Sequence, residues 1–169
     1  MTEHDPDANG AAREPRSAAE EARLVAAITE LFERRITFNE FMGFRVVSVS
    51  DARVRIAFDM RPELIGHYLH GRLHGGVVTS VLDVAGGLAV MRGIADRYTD
   101  ERAMAVLQRF AHLGTIDLRV DFLRQGIGKR FVADAEVVRL GRRIAACAMR
   151  LSNDDDTLIA TGNATYIVS

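Results

Sequence analysis

One acidic side chain stands out in the segment 73–94, LHGGVVTSVLDVAGGLAVMRGI. Asp83 lies within a nearly unbroken apolar run, where an ionised carboxylate is costly unless it is paired, hydrogen-bonded or open to a cleft. Read as a helix, the segment sets Gly76, Ser80 (or Thr79), Asp83 and Gly87 on one stripe at steps of three and four. Small residues on that stripe let a ligand or a second backbone come close, and a carboxylate among them suits a general base. A structural acceptor at a helix contact is the other reading of Asp83. His74-Gly75-Gly76 falls where the helix begins. Free N–H groups and the positive end of the helix dipole face outward there and can stabilise a developing oxyanion. A tight turn into the helix, with His74 packed locally, accounts for the same residues without chemistry.

Spacing constrains how these groups could cooperate. Gly76 and Asp83 are seven residues apart, about 10 Å along a helix at ~1.5 Å per residue, which is too far for both to grip one carbonyl. Two such helices packed antiparallel, with axes about 8–10 Å apart, set Gly76 of one beside Asp83 of the other. A two-fold dimer does this twice. If Asp83 is catalytic with the Gly76 donor, the protein is at least a dimer.

The elements that must hold these groups are legible in the period of the apolar residues. Residues 1 to about 16, with Pro6, Gly10 and Pro15 and no apolar period, read as a disordered tail. Ser17 with Glu20 makes a capping-box start for an amphipathic helix over 17–35, carried by Leu24, Ala27, Ile28, Leu31 and Phe32. A short turn, Phe38 to Gly43, follows. Period-two alternation then gives strands at 44–50 and 53–60 around a Ser50-Asp51-Ala52 turn, and a Gly/His-rich loop covers 61–74. Beyond the helix and a charged connection, Ile116, Leu118, Val120 and Phe122 alternate with polar residues, which puts Thr115 on the polar face. Strand-like runs at 130–140, 143–152 and 157–168 complete an α+β pattern, an antiparallel meander with one central helix. A helix apolar almost all round is a buried helix, here one wrapped by the sheet.

Composition narrows the classes. At 169 residues, 48% hydrophobic and 27% charged, the chain suits one globular domain and excludes a wholly disordered, collagenous or polytopic membrane protein. Asp83 interrupts the one long apolar stretch, so no membrane span is expected. Basic and acidic residues nearly cancel, 22 against 23, so no basic field points to nucleic acid. The acidic, polar N-terminus is the opposite of a signal peptide, and a cytoplasmic location is expected. Cys147 is the one cysteine, which excludes a disulfide framework and a Cys-rich zinc site, and its apolar strand makes it a buried, inert thiol. His67, His70 and His74 are not paired at H-x-x-x-H spacing on a helix, so no metal is expected.

Taken together, these residues resemble the PaaI-like acyl-CoA thioesterases of the hot-dog fold. The match rests on Leu73-His74-Gly75-Gly76 with Leu82-Asp83 nine residues after the histidine, and continues through TIDLRVDFLR (115–124), the Gly141-Arg142-Arg143 turn and IATGNATY (159–166). The wording LIG…LHGGVVTSVLDVAGGLA looks most like the YigI-like branch of that family. The resemblance spans 38–168 as a hot-dog domain and implies a six-stranded antiparallel sheet wrapped round one long central helix. It further implies a dimer, often paired again into a tetramer, acting on an acyl-CoA substrate without a cofactor. Carried over, Asp83 is general base or nucleophile, the Gly76 N–H polarises the thioester carbonyl, and Thr115 helps place water. Such sequences commonly carry Asn or Gln in the loop before HGG; His67 is the positional substitute here, with His70 beside it, and an imidazole donor would add a pH dependence. His74, Gly75, Ser80 and Gly87 are the candidate substrate contacts. Arg124, Lys129, Arg130, Arg142 and Arg143, at strand ends and turns, are candidates for the coenzyme A phosphates. Two other functions remain open. A non-catalytic acyl-CoA-binding hot-dog protein would bind without releasing thiol. A hot-dog hydratase or dehydratase would want a histidine and a carboxylate bracketing the substrate's carbon chain, and the HGG-to-Asp spacing fits it less well.

Overall fold

The apolar segment holding Asp83 forms a single helix, and the sheet closes round it. In the computed structural model, which describes residues 14–49 and 53–169, four α-helices appear in chain order: α1 (Ala18–Glu30), α2 (Thr37–Met42), α3 (Gly75–Arg97) and α4 (Ala103–Arg109). Strands β1 (Arg45–Ser48), β2 (Val54–Asp59), β5 (Gly114–Phe122), β6 (Arg130–Leu140), β7 (Ile144–Asn153) and β8 (Leu158–Ile167) make one antiparallel sheet in the order β1-β2-β6-β7-β8-β5. β3 (Ile65–His67) and β4 (Arg72–Leu73) pair separately as a hairpin. By length and composition alone α3 could cross a membrane, yet most of it is buried inside the fold, as in a core helix.

Small residues explain how a helix and a sheet approach so closely. Ala133 and Ala135 on β6, and Ala145 and Cys147 on β7, are buried on strands that pack against α3. On the outer face, Arg53 pairs with Glu136 and Arg55 with Asp134, both at 2.8 Å. The Cys147 Sγ lies 3.7 Å from the Gly86 carbonyl oxygen, and burial pushes its thiol up to about 12 from 9.0. A raised folded-state pKa means that the folded chain keeps the proton that the unfolded chain gives up. The Cys147 contribution is therefore intact below about pH 9 and lost as pH rises toward 12. We expect the stability difference between wild type and Cys147→Ala, measured by urea unfolding, to shrink over that range. A thiol reagent at neutral pH should label Cys147 only after denaturant is added.

Four sequence expectations change. The segment 38–43, expected as a turn, belongs to α2, which Gly43 ends in the left-handed conformation (φ 70°). The expected loop at 61–74 contains a 3-10 turn (Pro62–Leu64) and the β3–β4 hairpin. The charged connection after α3 contains α4 and a 3-10 turn, Phe110–His112. The tail expected through residue 16 is tied down at its end. The Arg16 side chain is only 5% exposed, pairs with Glu21 at 3.1 Å and donates to the Ala95 carbonyl at 2.6 Å. A cation on the last carbonyls of α3 sits where the helix dipole favours one. Residues 1–13 of that expected tail, and the Ser50-Asp51-Ala52 turn, lie outside the described residues.

Ser17 does cap α1, its hydroxyl accepting from the Glu20 N–H at 3.3 Å. Leu24, Ile28 and Phe32 are buried, so the helix lays its apolar stripe on the core. α1 ends in one π-helical turn, Leu31–Arg35, where the Ile36 N–H reaches back to the Leu31 carbonyl at 3.1 Å.

Candidate active site

Asp83 stands on the side of α3 that faces the start of β5. The Thr115 hydroxyl donates to its Oδ1 at 2.8 Å. Simple alternation would turn Thr115 away from the helix. The β5–β8 register, however, shifts between Thr115 and Asp117, so Ile116 is an extra residue, 55% exposed, and Thr115 swings back over α3. Tyr166 supplies a second contact that sequence reading missed. Its hydroxyl donates to the Asp83 backbone carbonyl at 2.9 Å and lies 3.3 Å from Oδ1. Burial first, and then the neighbouring Asp83 carboxylate, push the Tyr166 pKa up, which keeps the hydroxyl a donor.

Two adjacent glycines on α3 serve this arrangement differently. A Cβ on Gly86 would stand 2.1 Å from the Tyr166 hydroxyl oxygen, so only glycine lets that ring reach Asp83. A Cβ on Gly87 would meet nothing nearer than Leu113 Cδ2 at 3.9 Å, an ordinary contact. Gly86→Ala should therefore cost about 1–3 kcal/mol as an overpacked site, despite better helix propensity. Gly87→Ala should gain up to about 1 kcal/mol. Melting temperatures of the two variants, moving in opposite directions, check this.

Beside Asp83 opens a cavity of about 150 Å³. Its polar lining is Asp83, Thr115, Tyr166 and Asn39, and Phe32, Ile36, Phe110 and Leu113 supply apolar walls. Gly87 also lines it, so a small residue at that place on the helix stripe keeps room open. The N-terminal helical region thus builds part of the site through Phe32, Ile36 and Asn39.

At the start of α3, His74 is the N-cap, and its Nδ1 accepts the Gly76 N–H at 2.9 Å. Gly75 and Gly76 are exposed. Thr79 and Ser80 donate back to the carbonyls of Gly75 and Gly76, at 3.0 and 2.7 Å. His67 and His70 sit on the β3–β4 hairpin with rings stacked 4.7 Å apart, and among the described residues neither bonds to Asp83 or Gly76. The hairpin nevertheless lies against the helix start, because Gly66 passes so close to His74 that a Cβ there would be 2.4 Å from the His74 Cα.

The five basic candidates scatter. Arg124 lines a cavity of about 420 Å³ together with Gly75, Val78 and Phe122, and its Nη1 donates to the Leu158 carbonyl at 3.0 Å. Arg142 and Arg143 line a cavity of about 770 Å³ at the opposite end of α3 beside Tyr98. The Lys129 backbone N–H is held by Asp154 Oδ1 at 3.0 Å, and Arg130 opens β6 as an exposed residue.

Comparison with known proteins agrees with this fold. The model of the thioesterase superfamily matches residues 70–160. The medium/long-chain acyl-CoA thioesterase YigI of Salmonella typhimurium is 37% identical over 83% of this chain and 91% of its own length. The protein of the same name from Escherichia coli K12 is 36% identical over the same shares. A crystal structure from Shewanella oneidensis, described as related to the thioesterase superfamily, superposes with a TM-score of 0.82. It is 38% identical, over 88% of this chain and 97% of that one.

Proposed function

Since the chain belongs to the thioesterase superfamily, we propose that it hydrolyses a medium- or long-chain acyl-CoA to the free carboxylic acid and coenzyme A, at a site shared between two subunits. The observation that carries this reading is the Asp83–Thr115 pair, 2.8 Å apart at the edge of an apolar cavity. The exposed amide end of the same helix lies about 10 Å away along its axis. Two α3 helices packed antiparallel across a two-fold axis bring the amide end of one subunit to the carboxylate of the other.

In that arrangement the thioester carbonyl accepts the Gly76 N–H of the facing subunit and displaces the His74 imidazole that holds it at rest. The donor is then aimed at the oxygen on which negative charge builds. A water held between Asp83 and Thr115 gives its proton to the carboxylate and attacks the carbonyl carbon. The C–S bond then breaks, and the departing thiolate takes up a proton. In the alternative route Asp83 attacks the carbonyl carbon directly, and the C–S bond breaks to release the coenzyme A thiolate, which takes up a proton. Water then hydrolyses the resulting anhydride to the free acid and the Asp83 carboxylate. Tyr166 holds Asp83 from behind on either route. His67, on the hairpin beside the helix start, is the candidate second donor to the carbonyl. Arg124 shares a cavity with Gly75 at the helix start and is the one of the five candidates assigned to the coenzyme.

Two features of the single chain support the dimer. The helix stripe of Gly76, Ser80 and Asp83 is left partly exposed, and β5 is a nine-residue edge strand bearing exposed Ile116 and Phe122. An edge of that length and apolarity calls for a cover. The test is release of free thiol from short, medium, long and aryl acyl-CoAs. Turnover that favours the longer aliphatic chains is expected, and tight binding without thiol release would replace the reading with a non-catalytic acyl-CoA-binding one.

A further inference from the structure

The cavity at Asp83 is one of two that share a lining residue. Its volume is about 150 Å³. Phe110 lines it, and Phe110 also lines a second, open cleft of about 430 Å³ beside α1 and α4. Ala27, Leu31, Met104 and Leu107 give that cleft its apolar lining, and Glu30 and Arg35, paired at 3.0 Å, also border it. Met104 is 67% exposed there.

Two local features point to Phe110 as a partition rather than a fixed wall. It opens a 3-10 turn, whose hydrogen bonds are weaker than those of an α-helix, and it meets Phe32 edge-on at 5.5 Å. The π-helical turn at the end of α1 presents successive residues to the two compartments, Leu31 to the outer cleft and Phe32 to the inner cavity. Asn39 fixes that turn, its buried Nδ2 donating to the Phe32 carbonyl at 2.9 Å.

We propose that the two compartments are one acyl-chain site. The first carbons of the chain lie beside Asp83, Phe110 turns aside, and the distal methylenes of a saturated chain fill the α1–α4 cleft. The proposal rests on the acyl-CoA reading above. The occupant follows from the one residue, Phe110, that the cleft shares with the Asp83 cavity, and from the aliphatic side chains that line the cleft. Each methylene moved from water into such a lining is worth about fourfold in binding, so several of them set a steep preference for longer chains.

The test compares kcat/KM for short- and long-chain saturated acyl-CoAs in wild type, Phe110→Ala and Ala27→Phe, together with calorimetric affinity for a non-hydrolysable long-chain thioether analogue. Ala27 lies on α1 and lines only the outer cleft. Ala27→Phe should lower the long-to-short ratio of kcat/KM at least tenfold and weaken the long-chain analogue by a similar factor. Phe110→Ala, which removes the partition, should raise that ratio severalfold. Equal changes at all chain lengths, or none in either variant, overturn the two-compartment site and leave the reaction assigned. Failure of the wild-type protein to hydrolyse any acyl-CoA overturns the reaction itself, and with it the identity of the occupant.

Discussion

Asp83→Ala is expected to lower kcat by about a thousandfold with little change in the fold. A positioned base contributes about 10²- to 10⁴-fold, and a thousandfold corresponds to about 4 kcal/mol of transition-state stabilisation. The stability terms are smaller and oppose one another. The variant gives up the Thr115 hydrogen bond and the longer approach from Tyr166 to Oδ1, each worth about 1 kcal/mol or less at a half-buried site. It gains about half a kcal/mol of helix propensity. Tyr166 keeps its bond to the residue 83 backbone carbonyl, because that acceptor does not depend on the side chain. The measurement is steady-state thiol release from a long-chain acyl-CoA, beside a melting curve that should move by only a few degrees. Turnover unchanged within a factor of three would remove Asp83 from the chemistry, and with it the assigned roles of Thr115 and Tyr166.

The sequence singled out the residues of the candidate site and missed the contacts that hold them, for physical reasons. α3 and the meander are legible because a helix apolar all round, and strands with period two, can bury those faces in few other ways. The carboxylate in α3 stood out because burying it unpartnered is costly. Thr115 was assigned to the polar face by alternation, yet it bonds Asp83 because Ile116 is a bulge, one inserted residue with no composition of its own to announce it. Tyr166 gave one unread sign, a phenol at a buried strand position, where its hydroxyl must find a partner. The short helices α2 and α4 and the β3–β4 hairpin are fixed by tertiary contacts more than by local propensity, as with the Asn39 side chain bonding back to Phe32. Arg16 looked like part of a polar tail because its partners, the last carbonyls of α3, lie some 80 residues further along the chain.

A site shared between subunits makes a prediction that no single-chain site can meet. Asp83→Ala removes the carboxylate. Gly76→Pro removes the amide donor at a first-turn position, where the N–H has no partner within the helix and proline is tolerated. Each variant alone should be nearly inactive, since both of its sites lack a group. When the two chains are co-expressed with different tags and purified through both, each heterodimer contains one site missing both groups and one site missing neither. The intact site takes its Asp83, Thr115 and Tyr166 from the proline variant and its Gly76 from the alanine variant. Such a heterodimer should retain about half of wild-type kcat, one working site of two. If Gly76 and Asp83 of the same chain served one substrate, both sites in the heterodimer would stay broken and activity would remain at the level of the single variants. The two outcomes differ by about two to three orders of magnitude, far beyond any loss from imperfect folding of the mixed dimer.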